Sequence, residues 1–198
     1  MTSRDPSLEA FLDAAREAYF HRTNDPRALA SLHQAFDALE GVKPQSVRPS
    51  QRLPVCQLLR RMGSETLHAP DLTRLMDSFF ALEPSLNWAR RAGDLTGASE
   101  NFTDNHANAV IFGKNGLEPR DDVTLGISLV GPDTLYPDHR HKPEETYLVI
   151  SPGDFRQGHR PWVKVASGDT FYNPSNILHS MRSSTVPILA FWVLWHGA

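Results

Sequence analysis

Near residue 95 the chain changes its hydrophobic period, and that change limits the folds open to it. Before it, apolar residues recur at helical spacing. Leu8, Phe11, Leu12, Ala15 and Tyr19 follow a Pro6-Ser7 start, and Leu29, Leu32, Phe36 and Leu39 follow Asp25-Pro26, with Gly41 as the stop. Asp71–Leu82 and Ser85–Arg91, behind Pro70 and Pro84, are predicted helical too, as is Val47–Met62 with a break near Pro54. After it come short β-prone runs: Val110–Phe112, Val123–Val130, Thr146–Ile150, Trp162–Val165, Thr170–Tyr172 and Ile188–Trp195. Gly, Pro, Asn and Asp separate them, the pattern of an antiparallel sandwich or barrel. The boundary falls in the polar stretch Gly93–Glu100, giving a helical region over 1–95, a cover on the barrel rather than an independent domain, and a β-barrel over 96–198.

The β half carries the chemistry. In the run from Tyr136 to Tyr147, His139 and His141 stand one residue apart and Glu145 follows four residues later. Residues two apart on an extended strand face the same way. His139 and His141 can therefore aim at one point, and Glu145 reaches it if the chain turns back at Lys142-Pro143. A further histidine, His179, follows Gly168 and Pro174. Imidazoles with a carboxylate suit a divalent ion such as Zn2+, Fe2+ or Mn2+, with availability deciding among them. Of the other histidines, His21, His33, His68, His106 and His159 are read as surface or core residues.

These motifs resemble the cupin superfamily, metal-binding jelly-roll (double-stranded β-helix) barrels. His139, His141 and Glu145 match the first cupin motif, and Gly168, Pro174 and His179 match the second. Asn176 stands where a glycine is usual, Ser183 where an asparagine is usual, and Gly131 and Gly153 are displaced from the usual flanking spacing; none of these is a ligand position. His and Glu ligands alone are shared by dioxygenases, isomerases and storage proteins. The flanking Tyr136 and Tyr147, the helical first half and the length narrow the resemblance to the cupin-type dimethylsulfoniopropionate (DMSP) lyases. The resemblance implies a mainly β cupin barrel with an N-terminal helical extension and one divalent metal ion. It implies cleavage of DMSP to dimethyl sulfide and acrylate by β-elimination, with the substrate carboxylate on the metal.

The residue types suit that chemistry. A cation on the carboxylate oxygens stabilises the charge that develops when the neighbouring carbon loses a proton. His141, Glu145 and His179 supply three ligands, with His139 as a fourth ligand or a supporting group. Tyr147, two residues from Glu145, can bind the metal or act as the base, and Tyr136 is also a candidate base. A free phenol titrates near about 10, so a tyrosine base requires a nearby dication and favours a mildly alkaline optimum. The sulfonium leaving group is a soft cation, which aromatic faces attract. Trp192 and Trp195 alternate along the last strand, so one of them must face inward toward substrate.

With a formal net charge of −3 and no basic block, nucleic-acid binding is not expected. Arg60-Arg61 and Arg90-Arg91 read as solvated helix charges. No apolar run reaches the roughly 18 residues of a membrane span. The N-terminal residues lack a secretory pattern and Cys56, a buried small hydrophobe, is the single cysteine, so a cytoplasmic location is expected. The partner is a small-molecule substrate, and assembly, a homodimer included, is open. Glu100–Asn108 and Ser151–Arg160 read as mobile loops. Two other functions share the motifs, an iron-dependent dioxygenase and a non-catalytic small-molecule-binding cupin.

Overall fold

Aspartate-proline pairs start the first two helices. Asp5 accepts hydrogen bonds from the Ser7 and Leu8 amides ahead of α1 (Pro6–Arg22), and Asp25 caps α2 (Pro26–Glu40) through the Arg27 amide. The carboxylate satisfies amides that the first turn leaves unpaired, and proline gives up an N–H that has no helical partner there. The third helix, α3 (Pro70–Leu82), starts on the same proline signal. The computed structural model describes residues 3–46, 49–63, 67 and 69–197. Among them no helix is long and apolar enough to cross a membrane.

Two helical expectations fail. Of Val47–Met62, residues 47 and 48 lie outside the described residues, and only Pro54–Arg61 is helical, as a 3-10 helix. Pro54 holds Leu53 extended at φ −93° and ψ 159°, so no α-helix can run through it. Ser85–Arg91 is not a helix either. A 3-10 turn at Glu83–Ser85 leads into extended chain, where Gln51 bridges Asn87 and Ala89 bridges Asn108. Trp88 in this stretch is fully buried, and its indole N–H donates to the Glu83 carboxylate. Pairing with Asn108 and burial of that indole override a short helical pattern.

The β half forms two antiparallel sheets. Strands β1 (His106–Phe112), β2 (Val123–Val130), β3 (Glu144–Ser151), β6 (Thr170–Asn173) and β8 (Ile188–Trp195) give a five-stranded sheet in the order β1-β2-β8-β3-β6. Strands β4 (Gly153–Gln157), β5 (Val163–Val165) and β7 (His179–Arg182) give a three-stranded sheet in the order β5-β4-β7. Tyr147 and Val149 of β3, Phe155 of β4, Val165 of β5, Met181 of β7 and Ala190 of β8 share one apolar cluster between the sheets. This closes an antiparallel jelly-roll barrel. The presumed loops are mostly paired: Glu100–Asn108 is a run of turns that enters β1, and Ser151–Arg160 contains β4. β4 and β7 have polar sequences, so hydropathy did not mark them.

The helices cover the outer face of the larger sheet. A second apolar cluster joins Phe11, Phe36 and Phe79 to Ile111, Ile127 and Phe191. The Phe191 ring packs edge-on against Phe79 with centroids 5.4 Å apart and lies 5.7 Å from Phe11. β2 and β8 are thus buried on both faces, which is why they read as unbroken apolar runs. Ion pairs reinforce the contact. Arg22 of α1 grips Asp71 of α3 at 2.5 and 2.7 Å, and Glu118, fully buried in the β1–β2 connection, is held by Arg4 and Arg120 at 2.7 and 2.8 Å. Arg4 also donates to Leu39 O and Arg120 to Ala38 O at the end of α2.

Candidate active site

The segment carrying Tyr136 and His139 runs antiparallel beside β7. Tyr136 N donates to Met181 O, and His139 and His179 exchange both backbone hydrogen bonds at 2.9 Å. That register sets the two imidazoles side by side, with ring centroids 4.0 Å apart and planes tilted by 56°. His141 follows, and the chain turns at Lys142-Pro143 to enter β3, as the sequence predicts. Glu145 is brought back on that strand, 3.5 Å from His141 Nε2 and 3.2 Å from His179 Nε2. The ligand atoms of His139, His141 and His179 lie within 4.8 Å of one another.

Backbone carbonyls fix the protonation of all three rings. Nδ1 of His139 faces Pro137 O, that of His141 faces Pro143 O and that of His179 faces Ile177 O, at 2.9 to 3.0 Å. A carbonyl only accepts, so each Nδ1 carries the proton and each Nε2 presents its lone pair. Nε2 of His141 and of His179 is buried without a hydrogen-bond partner. Unpaired buried lone pairs converging beside a carboxylate fit a metal ion. Burial first, then His179, hold His139 down to about 3, so this ring is neutral and ligand-ready. Burial alone would push Glu145 up; when the His141 and His179 rings carry charge they outweigh it and hold the carboxyl well below its usual range. Asn173 donates to Glu145 Oε2 at 3.0 Å, and Gln157 donates to Asn173 Oδ1 at 2.9 Å.

His139, His141 and Glu145 line a cavity of about 220 Å³ with Tyr136, Tyr147, Trp192, Asn108, Ser128 and Arg91. Both tyrosines are nearly fully buried, but their partners differ. Burial pushes the Tyr147 hydroxyl well above its ordinary value, and the Glu145 carboxylate pushes it further. Burial pushes Tyr136 up too, while Arg91 and Asn108 pull against it. Asn108 Nδ2 donates to the Tyr136 oxygen at 3.1 Å, and the Arg91 guanidinium carbon lies 5.7 Å from the ring centre. Phe102 and His106, stacked on each other, meet the Tyr136 ring edge-on.

Trp192 is the inward tryptophan. Its indole lies across Gly126, where an added Cβ would come within 2.5 Å of the ring, and its N–H reaches Ser128 Oγ at 3.0 Å. Trp195 does not belong to the cavity. It faces the other side of β8, in a groove beside Arg27 of α2 and Tyr172, because side chains alternate along a strand.

Sequence reasoning missed several site residues. Arg91 is not on a helix: the Ala89–Asn108 bridge and a hydrogen bond from its own amide to His106 Nε2 deliver it to the cavity. His106 is one of the histidines read as surface or core; it is buried and packs against Tyr136, whereas His68 lies outside the described residues. Asn108 and Ser128 had a legible signal, being polar residues at inward positions of apolar strands. Asn173 and Gln157 had none beyond the nearby Pro174.

A dimethylsulfoniopropionate lyase family model matches residues 27–190. Among solved structures, a chain from the crystal structures of DMSP lyases RdDddP and RnDddQII is similar at 25% identity and TM-score 0.73, covering 96% of this chain and 92% of that one. DMSP lyase DddQ from Ruegeria pomeroyi DSS-3 is similar at 20% identity and TM-score 0.70, covering 97% and 92%. A cupin-2 domain from Rhodospirillum rubrum aligns over 57% of this chain and 71% of its own at 18% identity and TM-score 0.45. No curated protein sequence matches.

Proposed function

The chain belongs to the dimethylsulfoniopropionate lyase family, carbon–sulfur lyases that cleave DMSP, and from that premise we propose a metal-dependent β-elimination with Tyr136 as the base. His141, Glu145, His179 and His139 would hold one divalent ion, and its charge would supply stabilisation for the substrate carboxylate as the neighbouring carbon loses its proton. Tyr136, as phenolate, takes that proton; the C–H electrons form the new double bond, the C–S bond breaks, and dimethyl sulfide leaves with its electron pair. Acrylate remains, and Tyr136 returns its proton to solvent. The observation that carries this reading is the cluster of three oriented imidazoles beside Glu145, of which His139, His141 and Glu145 line a small cavity shared with Tyr136.

The neighbours of the two tyrosines support the choice between them. Tyr136 faces an amide N–H and a guanidinium, both of which favour a phenolate. Tyr147 faces Glu145, which disfavours one. Tyr147 then orients the carboxylate, and the Trp192 face receives the sulfonium by a cation–aromatic attraction of roughly 0.5–2 kcal/mol. The test is headspace dimethyl sulfide with acrylate from metal-loaded protein. Stoichiometric release, abolished by chelator and restored by a divalent ion, is expected. Tyr136→Phe should lose turnover with metal still bound, and full turnover in that variant would sink the assignment.

A further inference from the structure

Four side chains on one wall of the cavity form an unbroken hydrogen-bond chain. Trp192 Nε1 meets Ser128 Oγ at 3.0 Å, Ser128 Oγ meets Asn108 Oδ1 at 2.7 Å, and Asn108 Nδ2 meets the Tyr136 oxygen at 3.1 Å. The direction of this chain is not free. An indole N–H can only donate, so Ser128 accepts there. The serine hydroxyl is buried, and the partner for its proton is the Asn108 carbonyl. With its carbonyl so engaged, Asn108 turns its NH2 toward Tyr136.

We infer that Trp192, Ser128 and Asn108 are positioning residues that lock an N–H donor onto the Tyr136 oxygen through a one-way hydrogen-bond chain. The inference rests on the reading of Tyr136 as the base. In this arrangement the phenol oxygen accepts from Asn108 and the phenolate accepts the same bond, so nothing reorganises when the proton moves. A flipped Asn108 would face Tyr136 with its carbonyl, holding the proton on the phenol and opposing the phenolate. The strand register builds the chain: Asn108 of β1 pairs with Ser128 of β2, and Trp192 of β8 pairs with Gly126, two residues along. The absent side chain at Gly126 lets the indole lie over β2, bringing its N–H to Ser128. Trp192 therefore has two separable functions, a ring face toward substrate and an N–H toward the base.

Steady-state turnover of DMSP by the metal-loaded full chain tests this. Ser128→Ala frees Asn108 to flip, and kcat should fall on the order of 10- to 100-fold, the worth of a hydrogen bond to a charged group, with KM and metal content unchanged. Ser128→Thr keeps the hydroxyl and should restore most of kcat. Asn108→Asp, equal in size but an acceptor, should fall at least as far as Ser128→Ala. Trp192→Phe keeps a ring and loses the N–H, so kcat should drop while KM holds; a role in packing alone predicts no such split. Loss of activity in Tyr136→Phe with unchanged kcat in Ser128→Ala and Asn108→Asp overturns the inference and leaves the base assignment standing. Full activity in Tyr136→Phe overturns the base assignment and the inference with it.

Discussion

The carboxylate of Glu145 has an amide neighbour as well as imidazoles, and Asn173 is that neighbour. Gln157 occupies the Asn173 carbonyl, so Asn173 presents its N–H to Glu145. Groups that orient a ligand in this way typically set about 10- to 100-fold in metal affinity. Asn173→Leu should therefore weaken divalent-metal binding by about that range while the chain stays folded, as read by competition with a chromophoric chelator. At this scale the candidate ligands were legible as a group and the amides that support them were not. His139, His141, Glu145 and His179 announce themselves because few residue types bind metals and their spacing suits one strand and one turn. Asn173 and Gln157 act through residues far apart in sequence, and neither differs locally from a surface amide.

The helices are joined to one another by charge as well as by apolar contact. Arg22, together with His21, grips Asp71 and holds its carboxyl down to about 2 from an ordinary 3.8. A carboxyl lowered by folding adds stability above its ordinary value and loses it as pH falls through the folded one. The α1–α3 contact should thus weaken between about pH 4 and pH 2. Thermal unfolding across that window should show wild type losing its advantage over Asp71→Asn; a constant gap would mean that the pair does not stabilise the fold. Element by element, legibility followed burial. β2 and β8, covered on both faces, were visible end to end as apolar runs. β4 and β7, edged with polar side chains, were invisible, and Ser85–Arg91 misled because its partners lie in Gln51 and β1.

Across the molecule, Glu118 ties three distant segments together. Its buried carboxylate faces Arg4 ahead of α1 and Arg120 in the β1–β2 connection, and both arginines also bind the carbonyls that end α2. Removing one member of such a set leaves buried charge uncompensated, at about 3–5 kcal/mol. Glu118→Gln should lower the stability measured in urea by that order, with turnover of the remaining folded protein intact because the network lies apart from the cavity. No pattern in the sequence marks this network. The general layout was readable, helices followed by a barrel, since it depends on period alone.

Gly126 and Trp192 touch so closely that the history of one constrains the other. Any side chain at 126 would strike the indole, and any smaller residue at 192 would leave a gap over 126. As such chains diverge, these two positions should drift as a pair. A lineage that fills 126 must give up its tryptophan, and with it both the proposed face for sulfonium and the fixed end of the inferred Asn108 relay.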